Sequence, residues 1–161
     1  MISKLLWNPD CNIEAVKKDF LEGYYGPAAG CINEYIKLFT DKVNNEGIHF
    51  GISSAPTAAY LDEGVLVKAD EIINKAEKLV EGTKKYEWRL RRIRATLVYP
   101  RIAHKILANE AASEEINDFF NEVTSLGYNR LEEGMPLEKR RRYALEMGRL
   151  CGLVNGKFSE E

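Results

Sequence analysis

Three adjacent acidic pairs, Asp62-Glu63, Glu114-Glu115 and Glu132-Glu133, are the first side chains in this sequence with the means to do chemistry. Glycoside hydrolysis needs two carboxyl groups roughly 5 to 10 Å apart across a substrate. Successive residues on a helix point about 100° apart, so adjacent acids do not face one another. The first two pairs also stand at predicted helix starts, where acidic side chains favour the positive end of the helix dipole. Capping and solvation therefore account for these pairs better than catalysis does.

Metal ligation fares no better. His49 and His104 stand alone, and neither an HExxH nor a CxxC spacing occurs. His104 reads as a packed or surface histidine. A serine or cysteine nucleophile needs a base and an orienting acid, and no nucleophile elbow is present. The glycines of Gly23-Tyr24-Tyr25-Gly26 lack the spacing and the preceding strand of a dinucleotide loop. The sequence thus predicts no catalytic residue, no metal site and no cofactor.

Binding chemistry has stronger candidates. Between Lys84 and Lys105 eight basic side chains face a single acid, Glu87. Arg89, Arg91 and Arg92 cluster there beside Trp88, and such a face could take phosphates or an acidic partner. The same charges also suit the solvated face of an amphipathic helix, or ion pairs with acidic helices nearby. Lys139-Arg140-Arg141-Arg142 carries the same two readings. Among aromatics, Trp7, Tyr24, Tyr25, Tyr86 and Trp88 could serve as sugar platforms, but aromatics at helical spacing usually belong to a core. Trp88 falls off the inner stripe of its helix and is the aromatic expected to be exposed.

The elements that must position these groups read as helices throughout. Asn12 caps a first helix of about 12 to 22, with Ile13, Val16, Phe20 and Tyr24 on one face and Gly23 as its stop. Gly26-Pro27 opens another, with Ile32, Ile36, Phe39 and Val43 inward and Gly47 at its end. Over 47–64 the pattern lapses into an ordered, partly extended loop in which Ile48, Phe50 and Ile52 alternate. Asp62 then caps a helix with Leu66, Ala69, Ile73, Ala76 and Val80 inward, ending at Gly82. Thr83 begins a long helix carrying Tyr86, Leu90, Ile93, Leu97 and Ile102, which Pro100 should bend. Ser113 caps a helix with Ile116, Phe119, Phe120 and Val123, running to Gly127. After Gly134-Met135-Pro136 a final helix runs from Leu137 through Leu145 to Leu150. The expected architecture is all-α, a bundle of about six helices forming a single domain over 1–161.

Composition agrees with this reading. A chain of 161 residues can bury about two-thirds of its unfolded surface without metals or disulfides. Cys11, Cys31 and Cys151 are an odd number without metal-type spacing, and read as buried thiols. A net charge of −2 argues against wholesale binding to nucleic acid or a membrane surface. No apolar run approaches the roughly 20 residues that span a bilayer.

Trp7-Asn8-Pro9-Asp10, then Phe20-Leu21-Glu22-Gly23-Tyr24-Tyr25-Gly26-Pro27-Ala28-Ala29 and Tyr35, resemble the C-terminal part of a bacterial family known only as a domain of unknown function. Those proteins are similar to glycoside hydrolases, and in them a β/α barrel precedes a Trp-Asn-Pro turn into a helical region. Looser correspondences follow at Tyr60-Leu61, at Arg89-Leu90-Arg91-Arg92-Ile93, and from Phe119-Phe120 through Gly127 and Arg130 to Glu133-Gly134. The resemblance implies that this chain is the C-terminal helical region of a larger carbohydrate-active protein, with residues 1–9 at the junction. Catalytic residues would then lie on barrel strands, and none transfers to this sequence. An exported parent, periplasmic or secreted, fits the same implication, so location stays open.

Two functional expectations result. The first is a noncatalytic accessory domain packing against that barrel through Ile2, Leu5, Leu6 and Trp7, the isolated chain self-associating through the same residues. The second is an independent helical module that uses the 84–105 face for an anionic partner.

Overall fold

The backbone of a computed structural model is described for residues 2–49, 56–108, 110–131 and 134–154; the side chains of Ile2 and of residues 148–154 fall outside the description. The fold is all-α: α1 (Ile2–Trp7), α2 (Ile13–Tyr25), α3 (Ala29–Asn45), α4 (Glu63–Val80), α5 (Lys84–Ala108), α6 (Ser113–Ser125) and α7 (Leu137–Val154). Six of these are long helices and α1 is a short one, in line with the number expected. The described residues include no strand and no helix long and apolar enough to cross a membrane.

The chain divides into two compact units, one drawn from 1–49 and 64–90, the other from 50–63 and 91–161. The division falls within α5, between Leu90 and Arg91.

In the first unit α2 packs against α3. Asn12 caps α2 as expected, its Oδ1 accepting from the Ala15 N–H at 3.0 Å. The helix does not stop at Gly23, however. It runs on to Tyr25, and the stop is Gly26, with φ of +56°. Gly23 takes ordinary helical geometry there, and the left-handed turn needed to end the helix falls three residues later. Gly26-Pro27-Ala28 then forms one 3-10 turn that leads into α3.

Burial in this unit follows the predicted face of α4 closely. Leu66, Ala69, Ile73 and Ala76 are fully buried, and Val80 nearly so. Burying a Leu or Ile side chain of this kind stabilises by about 1.5–3 kcal/mol. On α3 the predicted stripe fades along the helix: Ile32 is buried, Phe39 and Val43 half-buried, and Ile36 exposed. Leu90, at the unit's end of α5, is fully buried. The start of α5 is tied back by Glu87, whose Oε1 accepts from the Gly82 N–H at 2.7 Å, as a residue near a helix N-terminus can do for an orphan donor.

The second unit centres on Ile102, Ile116, Phe119, Phe120, Val123 and Leu126, with α6 against α7. Phe119 meets Phe120 edge-on at 5.3 Å and Tyr99 face-on at 5.7 Å. The predicted inner face of α6 is buried in full. Its N-cap is Ala112, which has no side chain able to cap, and not Ser113, which occupies the first helical position. Helix α5 is continuous across Pro100, which supplies no N–H to the carbonyl four residues earlier.

The loop expected to be partly extended contains a 3-10 turn at Ala59–Leu61, while Phe50 and Ile52 lie outside the described residues. Cys11 and Cys31 are half-exposed free thiols, not buried ones, and Cys151 is outside the description.

Candidate functional site

Local turn chemistry sets α1. The Asn8 N–H donates to the Lys4 carbonyl at 2.8 Å, and the Asn8 Oδ1 accepts from the Asp10 N–H at 3.1 Å. This is an Asx turn, in which the short side chain imitates a backbone turn, and it carries the chain from α1 to the cap of α2. Lys4 pairs with Asp19 on α2 at 3.7 Å. A helix of one and a half turns is marginal alone, so these links decide which way it faces.

The result is an apolar pair in water. Leu6 is 82% and Trp7 92% exposed, while Leu5 is half-buried; the side chain of Ile2 is outside the description. On α2, Ile13 and Phe20 are also exposed, two turns apart on one face. A tryptophan buries 150–250 Å² when covered, so Trp7 has most of its contact capacity unspent.

Behind this corner lies a ladder of rings and charge. Phe20 stacks on Tyr24 at 5.4 Å, and Tyr24 meets Tyr25 edge-on at 4.9 Å. The Arg89 guanidinium sits 3.8 Å from the Tyr24 ring centre and 5.8 Å from that of Tyr86, and it donates to the Tyr24 carbonyl. Tyr86 in turn covers Gly26: a Cβ there would fall 2.5 Å from the Tyr86 Cζ. Gly26 is thus required twice, by its backbone angle and by the ring above it.

The basic candidates are divided between the units. Trp88 and Arg89 belong to the first, and Trp88 is 42% exposed, as its position off the stripe implied. Arg91 and Arg92 belong to the second. Arg91 grips Glu122 with two parallel bonds, Nε to Oε1 at 2.9 Å and Nη2 to Oε2 at 2.8 Å, and reaches the Ser125 hydroxyl at 3.3 Å. Those bonds raise the Arg91 pKa and hold the Glu122 carboxyl below its ordinary value. Arg92 donates to the Leu126 carbonyl at 2.8 Å, at the negative end of α6, and lies over the Tyr128 ring at 4.4 Å. Lys105 pairs with Glu115 at 2.5 Å.

The acidic pairs also find local explanations. Glu63, and Glu114 with Glu115, lie in the first turns of α4 and α6; Glu132 and Glu133 are outside the description. His104 is half-buried and donates from Nε2 to the Leu61 carbonyl at 3.2 Å. Among the described residues no three His, Cys, Asp or Glu side chains are grouped to hold a metal ion. The partnership of Arg89 with Tyr24 was invisible in the sequence, because the two are 65 residues apart. The match of Arg91 to Glu122 carried only the general signal that a basic helix seeks an acidic neighbour.

Residues 1–41 match the model of a family described as Domain of unknown function (DUF4838). The matched stretch holds α1, α2 and most of α3, including Leu6, Trp7 and Phe20. It ends before the looser correspondences at Tyr60-Leu61, Arg89–Ile93 and Phe119–Gly134. No curated protein and no solved structure matches the chain.

Proposed function

We propose that this chain is a noncatalytic helical accessory domain of a larger, glycoside-hydrolase-like protein, and that α1 docks it against a β/α barrel encoded before it. One observation carries the reading: the family match falls on the segment that leaves Leu6 and Trp7 in water. Side chains of this size exposed side by side suit a surface that another body covers. The Trp-Asn-Pro turn behind them supplies a fixed mount, since the Asx turn and the cap of α2 leave little freedom between the two helices.

The anionic-partner reading has less support. Arg89, Arg91 and Arg92 already hold a carbonyl, a carboxylate and a helix C-terminus. An incoming anion would have to displace these bonds to gain its own, which reduces the net benefit of charge.

Self-association of the isolated chain is the first test. Sedimentation should show concentration-dependent dimers or larger species, reverting to monomer in a Leu6→Ser, Trp7→Ser double variant. A wild-type chain that stays monomeric at high concentration would count against an apolar docking helix.

A further inference from the structure

Beyond α1, the face of α2 that carries Ile13 and Phe20 leaves these side chains 43% and 49% exposed. Both are tied by short links to the docking helix. Ile13 follows the Asx turn and the cap residue directly, and Lys4 of α1 reaches Asp19, the neighbour of Phe20, at 3.7 Å. Leu6, Trp7, Ile13 and Phe20 also fall together within the family-matched stretch 1–41.

Exposure alone does not distinguish Phe20 from a stray surface ring; its backing does. The Tyr24 ring lies nearly parallel to it, 5.4 Å away with 14° between the planes. Tyr24 is held in turn by Arg89, whose guanidinium sits 3.8 Å from the ring centre and donates to the Tyr24 carbonyl. All three residues belong to the first unit. A ring fixed in this way before contact loses little rotamer freedom when it is covered, which is what preorganised anchors gain.

We infer that the surface docked against the preceding barrel is composite, made of α1 together with the Ile13 and Phe20 face of α2, and that Arg89 is its positioning residue, acting on Phe20 through Tyr24. The inference rests on the docking reading above and names the rest of its contact. Area favours the larger surface. Leu6 and Trp7 offer on the order of 350 Å², which with an equal facing area falls short of the roughly 1,000 Å² that a specific interface should clear. Ile13 and Phe20, each half available, add on the order of 200 Å² on this side, and the total then passes that threshold.

The test is hydroxyl-radical footprinting of the chain extended by any residues encoded upstream, compared with the 161-residue chain diluted to a monomer. Oxidation of Phe20 should fall at least about fivefold in the longer chain, as a half-exposed ring becomes a covered one, and Trp7 should be protected with it. Arg89→Gln should return Phe20 to the reactivity of the shorter chain and leave Trp7 protected. Trp7 protected with Phe20 still reactive would overturn the composite surface and leave the docking reading standing. Both rings reactive, or nothing encoded upstream, would remove the two together. Phe20 protected only where the 161-residue chain is concentrated would assign the face to a second copy and overturn the proposal. For Arg89, no change at Phe20 on substitution, or release of both rings at once, would contradict the positioning role.

Discussion

Gly26 shows how much one residue of this chain can be asked to do. It ends α2 with a positive φ, leads into a 3-10 turn through Pro27, and lies under the Tyr86 ring so closely that a methyl group there would overlap it. Gly26→Ala should destabilise the protein by about 1–3 kcal/mol, the usual cost of forcing a side chain into a sparsely populated backbone region. Denaturant unfolding would measure this, and Gly30→Ala, which has open space within α3, is the matched control. Arg91 and Glu122 make a second prediction at this scale. The Arg91 bonds depress the folded-state pKa of Glu122, so the stabilisation they supply is present above the ordinary carboxylate range and lost as pH falls through the depressed value. Both side chains are about half exposed, so solvent screening limits the contribution to about 0.5–1 kcal/mol. Glu122→Gln should lower stability by that amount at neutral pH and leave it unchanged once the wild-type carboxyl is protonated; an equal loss at both pH values would contradict the pairing.

At the level of elements, α2 depends on its cap. Asn12→Ala removes the acceptor for the Ala15 N–H and should cost about 0.5–2 kcal/mol, read as a drop in the midpoint of denaturation. Helices of this kind were legible because burial imposes a period. Every residue predicted inward on α4 and α6 is buried, with Val65 and Ile72 widening the α4 face beyond the prediction, since each is an amphipathic helix with its apolar face in a core. Ends were less legible. Gly23 and Gly26 are equally able to stop a helix from sequence alone, and what separates them is the Tyr86 ring, contributed by a residue far along the chain. Ser113 is a favoured cap residue, yet α6 begins at it, with Ala112 in the extended conformation before it. The partners of the arginines were illegible for the same reason that the helix ends were: Arg89 finds Tyr24, and Arg91 finds Glu122, by tertiary proximity that no local spacing records.

For the whole molecule, the chain is all-α with two compact units, and the family match covers about the first quarter of it. Leu6 and Trp7, the residues proposed as an interface, stand exposed in the structure. The docking role proposed for α1 is tested most directly by the environment of Trp7 in a longer chain that includes any residues encoded upstream. With Trp88→Phe to leave a single tryptophan, Trp7 emission should be red-shifted and open to collisional quenching in the 161-residue chain. In the longer chain it should shift to the blue and lose most of its quenching. Upstream residues that build no β/α units, or a Trp7 quenched equally in both chains, would contradict the account.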